Sequence, residues 1–515
     1  MSRRPFILAA LLLAAFAINL DTTIVNVALP TLVRELHASN SQLQWIVDAY
    51  NLVFAAFLLA AGSLSDRLGR KGVLLAGLSL FGLASAAGGL TSDAAQLIAA
   101  RCLMGLGAAM VFPATLSLIT NVFTGRAERA RAIGLWGATA GMAIALGPIV
   151  GGWLLERFSW PSIFFAMTPV AIAAAALIAA TAPTSRDPHA PALDRPGFGL
   201  STVSMGLLIF TIIEGPNQGW GSVRTLAGFA LAITLLAAFI SRERRTREPM
   251  LDVSLFRNPR FAAACASVTV AFFTLLGFIF LMTQYFQFIK RYDPLSAGVH
   301  LLPVAASVAV ASVVGTKLAV RFGTKLVVSC GLLMVSGFYL WVATVSAATT
   351  YATIAAQMVL YGIGMGLTSA PATEAIMGEV PREKAGVGSA VNDATRLLGG
   401  TLGVAVIGSV YASLYAARLS SGLPARLPGP LASAAHASVG SALGVAERIL
   451  ASGRPELAHA VQQAASHAFI HGLSAGCLVA ASVAATGAAM AVAFLPAQPA
   501  HATHATREVS APATA

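Results

Sequence analysis

Three observations predict an all-α polytopic membrane protein, built from two six-helix halves with two further helices inserted between them. Apolar runs long enough to cross a bilayer recur along most of the 515-residue chain. Charged residues make up only 10% of it, against about 25% in a soluble domain, so a hydrated surface cannot cover it. Two pairs of distant stretches also repeat each other at nearly one offset. The net charge of +12 is compatible with nucleic-acid binding, but the basic residues fall in short clusters between apolar runs. That pattern orients membrane segments rather than building a nucleic-acid face.

A helix needs about 20 apolar residues to cross the hydrocarbon. The first run covers 6–29. Its beginning imitates a signal peptide, with Ala15-Phe16-Ala17 as a cleavage-like site, but the apolarity continues to Leu29, so an uncleaved first span is expected. Runs near 44–64, 72–91, 95–119, 132–155 and 161–182 complete the first six. Weaker runs at 198–216 and 224–241 follow. The last six lie near 260–288, 297–320, 325–346, 350–373, 388–414 and 469–495, fourteen in all.

With the N-terminus inside, 22 Lys and Arg fall in inner loops and 9 in outer ones. The positive-inside rule therefore puts both termini in the cytoplasm. The expected organisation is a half at 1–185, a linker with two helices at 186–250, a half at 251–500 and a tail at 501–515. Residues 415–468, rich in Ala, Ser, His and Gly, become an outer loop, partly helical. Cys102, Cys265, Cys330 and Cys477 each sit in an apolar run without CxxC pairing, and read as buried small hydrophobes rather than metal ligands or disulfides.

The repeat is carried by IAARCLMGLGAAMVFPAT (98–115) and IAAQMVLYGIGMGLTSAPAT (354–373), and by DRLGRK (66–71) and VRFGTK (320–325). Each pair maps a span of the first half onto its counterpart in the second. Paired repeats around a midplane site are the architecture of alternating-access transporters.

Several polar groups stand where hydrocarbon should exclude them. Asp21 lies in FAINLDTTIVNVALP, roughly 22 Å up the first span at about 1.5 Å per residue. Asp48 and Arg101 are estimated at roughly 6–9 Å below the outer ends of their spans, at a similar depth. An intramembrane charge must be paired or useful. A static ion pair is one reading; a carboxylate whose proton affinity changes as water and Arg101 come and go is the other. Asn19, Thr22, Thr23 and Asn26 form one helical stripe, with Asp21 nearly opposite. Asp393 and Arg396 are three apart, and Asn392 and Arg396 four apart, so they can meet on one helix surface as a self-satisfied pair. Glu214 and Glu374 lie near span ends and read as snorkelling or solvated carboxylates.

GSLSDRLGRKG (62–72) joins two spans by a very short loop with Asp66, Arg67, Gly69, Arg70 and Lys71. A topology anchor needs the cations but not Asp66. The carboxylate suggests contacts that form and break between conformations. Arg101 shares its helix with small residues at 105, 108 and 109, and GPIVGGW (147–153) adds a proline and a glycine face to the fifth span.

Together with LDTTIVNVALP (20–30) and AGVGSAVNDATRLLGGTLGVAVIGSV (385–410), these stretches resemble the major facilitator superfamily. More closely, they look like its fourteen-helix drug:proton antiporters of the EmrB/QacA type. The resemblance covers nearly the whole chain. It implies proton-driven export of hydrophobic or cationic drugs or antibiotics, with proton or substrate binding at Asp21 and proton coupling at Arg101. It also implies a conformational gate around Gly62, Asp66, Arg67, Gly69, Arg70 and Lys71, and an exporter helix marked by Gly147, Pro148, Gly151 and Gly152. Asp48, Asn26, Asp393 and Arg396 complete the expected proton and substrate set. The second half departs from the gate pattern, since Val320 stands where Asp66 would.

The partners expected are an amphipathic small molecule, protons and the lipid bilayer, with the chain acting as a monomer. No GxxxxGK[ST] occurs, so the proton gradient is the expected driver and no cofactor is needed. HExxH is absent too, and the one GxSxG match, GLSAG at 472–476, lies inside the last apolar run, which speaks against an embedded enzyme. Transport of one specific small metabolite, inward or outward, is the nearest alternative. A non-transporting receptor or scaffold would have no need of the repeat.

Overall fold

The computed structural model describes residues 4–36, 40–185, 194–246, 249, 251–381, 384–424, 427–437 and 439–495. Its first six helices are α1 (Arg4–Glu35), α2 (Asn40–Leu68), α3 (Arg70–Gly89), α4 (Ala94–Val122), α5 (Arg126–Arg157) and α6 (Ser162–Thr181). Then come α7 (Arg195–Gln218) and α8 (Val223–Arg245). After a 3-10 turn at Val253–Arg257, α9 (Pro259–Gln284) runs into a π-helical turn, Tyr285–Ile289. α10 (Pro294–His300), α11 (Leu302–Phe322), α12 (Thr324–Val342), α13 (Tyr351–Glu379) and α14 (Ala385–Gly422) follow. The chain closes with α15 (Gly429–Ala437), α16 (Val439–Ala451) and α17 (Pro455–Phe494).

Among the described residues, 13 helical segments are long and apolar enough to cross a membrane, α10 and α11 together supplying one. Fourteen were expected. The expected fifth span is α5, which falls outside that set yet has 32 residues, about 48 Å at 1.5 Å per residue.

Side-chain caps set several helix starts. Asp93 accepts from the Gln96 amide, Ser222 from Thr225 and Thr350 from Thr353, each meeting a backbone donor the helix leaves open. Asp194 caps α7 through the Gly197 amide and also takes both ends of the Arg242 guanidinium, 2.7–3.0 Å away on α8. Those hydrogen bonds hold its carboxyl below the usual carboxylate range. Pro113 and Pro371 lie inside α4 and α13 at matching places in the repeated stretches. Neighbouring helices make such prolines tolerable at membrane depth.

The helix pairings repeat as the sequence does. α4 packs on α2 and α3, α1 on α5 and α6, and α3 on α6. Correspondingly, α13 packs on α11 and α12, α9 on α14 and α17, and α12 on α17. Two seams join these sets: α5 against α11, and α2 against α14. α7 lies on both α2 and α14, with α8 outside it. Rings of Trp45 and Phe210 stack at 5.9 Å there, and the Trp220 indole donates to Ser409 at 2.9 Å.

Two expectations need correction. Residues 415–468, expected as a partly helical outer loop, are mostly helical: α14 continues to Gly422, α17 begins at Pro455, and α15 and α16 lie between. Loss of hydropathy there marks the end of the hydrocarbon, not of the helix; alanine-rich sequence keeps its helical preference outside lipid. Leu427, Val445, Ile449 and Val461 give this part a small apolar core of its own. Glu374 is not solvated: it is buried and pairs with Arg129 of α5 at 3.3 Å, across the α5–α13 contact. Of the cysteines, Cys265 and Cys477 are buried, Cys102 is partly buried and Cys330 is exposed on the protein surface.

Candidate functional site

Asp21 and Arg101 meet. Arg101 donates to Asp21 Oδ2 at 2.6 Å, and both side chains are essentially sealed, at 0% and 1% exposure. The guanidinium has two other holds: it donates to the Ile46 carbonyl at 2.9 Å and lies 4.3 Å over the Tyr50 ring. These are possible because Gly105 of α4 lets the α2 backbone close in; a Cβ there would stand 2.5 Å from the Tyr50 carbonyl oxygen. Asp21 Oδ1 has no hydrogen-bond partner among the described residues. A buried oxygen without a donor is the atom on which a proton is best accommodated.

Part of the polar stripe of α1 faces away from this pair. Asn19 and Thr22 bond back to carbonyls of their own helix, while Thr23 reaches the Ala143 carbonyl of α5 at 3.2 Å. Asp48 is half-buried on α2, two residues beyond Ile46. The side chains of Asn26 and Pro148 lie outside the described residues.

The loop after α2 is a junction between the two helix sets. α2 ends at Leu68, α3 starts at Arg70, and Gly69 alone turns the chain, with φ of 107°. Glycine takes that conformation without strain. Gly323 repeats the turn between α11 and α12 with φ of 92°. Asp66 is buried and accepts from Arg70 at 2.7 Å and from the Gly386 and Val387 amides at 3.0 and 3.1 Å. It therefore places a carboxylate on the N-terminus of α14, where the helix dipole favours negative charge. At Gly62 the backbones approach so closely that a Cβ would stand 2.6 Å from Ala390 Cβ and the Gly386 oxygen. Arg67 donates to Ser63, and Lys71 to the Ala179 carbonyl of α6.

Asp393 and Arg396 are both buried but meet only at 3.9 Å, a looser pair than their spacing suggested. Asn392 donates to Asp393 and accepts from Thr373 of α13. Arg396 instead sits among rings from three other helices. Its guanidinium carbon lies 4.3 Å from the Phe272 centroid, 4.6 Å from Trp136 and 5.7 Å from Phe112. The Trp136 indole is held by Thr115 at 3.1 Å. Sequence reasoning missed this enclosure, and no local spacing could have shown it. It also missed that rings connect Arg101 and Arg396. Tyr50 meets Phe54, Phe54 meets Phe112, and Phe112 meets Trp136, with centroids 5.9, 5.9 and 5.1 Å apart.

The glycine helix packs differently from expectation. A Cβ on Gly147 would run into Thr23 of α1, whereas one on Gly152 would stand 3.3 Å from the flexible end of Leu295 on α10. Gly151 is buried. In α14, Gly399 and Gly403 press on the Thr269 and Phe273 carbonyls of α9, the counterpart contact. The four-residue spacing 147/151 and 399/403 was the available signal. Gly147→Leu and Gly403→Leu should each lower membrane abundance severalfold, since overpacking costs about 1–3 kcal/mol. Gly152→Ala should match the parent. Equal abundance of all three in quantified membranes would remove close packing as the role of these glycines.

A helical bundle with repeated halves, buried intramembrane charges and a junction of bonded helix ends defines a membrane transporter. The Major Facilitator Superfamily model matches residues 11–404, and the chain belongs to that family. It is 37% identical to the multidrug resistance protein Stp of Mycobacterium tuberculosis, over 77% of this chain and 74% of that one. It is 35% identical to the multidrug efflux pump LfrA of Mycolicibacterium smegmatis, over 78% and 80%. The crystal structure of the human transporter MFSD10 superposes with a TM-score of 0.64 at 14% identity, covering 95% of this chain and all of that one. That likeness shows the fold.

Proposed function

We propose that this protein is a proton-coupled exporter of drug-like amphipathic compounds, of the fourteen-helix antiporter kind. It would work as a monomer in the cytoplasmic membrane with both termini inside. The halves 1–185 and 251–500 would rock about the central cavity, with 186–250 carrying the inserted pair. The observation that carries the reading is the sealed Asp21–Arg101 pair with one carboxylate oxygen that has no hydrogen-bond partner among the described residues. Protonation of Asp21 removes the attraction, yet leaves Arg101 held by the Ile46 carbonyl and Tyr50 ring. The pair can then part with the carboxyl leaving as a neutral group, while Arg101 keeps two of its three holds in a medium where an unpaired ion is costly. Asp66 on the end of α14 supplies a contact that rocking would break. The efflux function of the relatives supports the direction of transport.

A membrane potential of about 100 mV contributes roughly 2.3 kcal/mol per entering proton, enough to drive a gradient of tens-fold. Everted vesicles with an acid lumen provide the test. Adding a transported compound should release protons from the lumen, in step with compound uptake. Uptake that leaves the proton gradient untouched would refute the coupling, and a broad panel with no uptake would refute export.

A further inference from the structure

A small cavity of about 20 Å³ lies where α5, α9, α11, α13 and α14 converge. Its lining is apolar apart from Ser312, Ser369 and Arg396, so among the described residues Arg396 is its sole ionisable group. That volume accommodates about one water.

Three features define what Arg396 offers there. The side chain is only 6% exposed, and its Nε has no hydrogen-bond partner among the described residues. Asp393 compensates it poorly, standing 3.9 Å away, accepting from Asn392, and lying outside the lining. The rings of Phe272, Trp136 and Phe112 surround the guanidinium, which leaves its N–H edge as the part able to meet a ligand. A ligand cation would meet like charge, and aromatic faces already used by the guanidinium. A ligand anion would complete a charge-assisted hydrogen bond.

We propose that the cavity recognises apolar compounds bearing an anionic oxygen, and that Arg396 is the residue that selects for that group. This rests on the export reading and narrows it, turning the expectation of cationic cargo toward anionic cargo. The cationic alternative becomes an outcome of the test.

Purified protein in lipid nanodiscs would be titrated with fluorescein, an anionic dye, and ethidium, a cationic one, reading fluorescence polarisation. Fluorescein should bind at least about tenfold more tightly than ethidium. Arg396→Gln should weaken fluorescein by about tenfold or more and leave ethidium equal or tighter, whereas Arg396→Lys should keep fluorescein within a few-fold. Ser369→Asp, which adds a carboxylate to the lining while keeping Arg396, should shift the preference the same way as Arg396→Gln. It guards against misfolding of the arginine variants. Tighter ethidium binding by the parent, no binding of either dye, or unchanged fluorescein binding in both Arg396→Gln and Ser369→Asp would overturn the proposal. Vesicles that take up fluorescein without proton release would instead refute the coupling and leave the selectivity standing.

Discussion

Asp21→Asn is expected to abolish proton-coupled export, because the amide keeps the shape of the side chain and removes its titration. It also leaves Arg101 buried opposite a neutral group, and removing one partner of a buried pair costs about 3–5 kcal/mol. Membrane abundance should therefore fall as well. The two effects separate in the double variant Asp21→Asn/Arg101→Ala, which should recover abundance and remain unable to pump. Asp21→Glu should retain part of the activity with an altered pH dependence. Export assays in everted vesicles, normalised to immunoblotted protein, read both quantities. An abundant Asp21→Asn protein that still pumps against a gradient would remove Asp21 as the coupling carboxylate, and Asp48 would be tested next.

Asp66→Asn should slow export about tenfold with abundance nearly unchanged. The variant loses the ion pair to Arg70 and the negative charge on the start of α14. Hydrogen bonds to a charged group contribute about 1.5–3 kcal/mol, so the closed arrangement of α2 and α14 should be depopulated about ten- to hundredfold. A reporter cysteine at Ser389, which is buried beside this junction, would measure that directly in a chain freed of its four native cysteines. Labelling of Ser389→Cys by a membrane-permeant maleimide should rise about tenfold when Asp66→Asn is added. Identical labelling rates with and without Asp66→Asn would show that the carboxylate does not hold the junction closed.

The fold was legible because each span carries its own apolar run, and because Gly69 and Gly323 punctuate equivalent turns. The Asp21–Arg101 pair could be anticipated from depth alone: opposite charges at one level in hydrocarbon have few other partners. Arg396 shows where such reasoning stops. Its ring enclosure draws Phe112, Trp136 and Phe272 from three helices, and their sequence neighbours carry no mark of the convergence. Glu374 misled for a related reason. Its place near a helix end suggested water, and only the packing of α5 on α13 brings Arg129 to it. The helical extent of 415–468 was only partly legible, since hydropathy measures lipid contact while helices answer to backbone preference.

The two seams between the helix sets are built unequally. Along α5 and α11 the approach is tight at several levels: a Cβ on Gly134 would stand 2.8 Å from Thr316, and one on Gly141 3.0 Å from Val308. Across α2 and α14 the tight approach at Gly62 adjoins the end where Asp66 is bonded, and α7 lies over the outside. The first is a long hinge; the second is a clasp behind a shutter. A compound dissolved in the lipid leaflets meets interlocked backbone on one flank and α7 on the other. The two flanks therefore present different surfaces to the surrounding lipid: interlocked backbone on one side and a covering helix on the other.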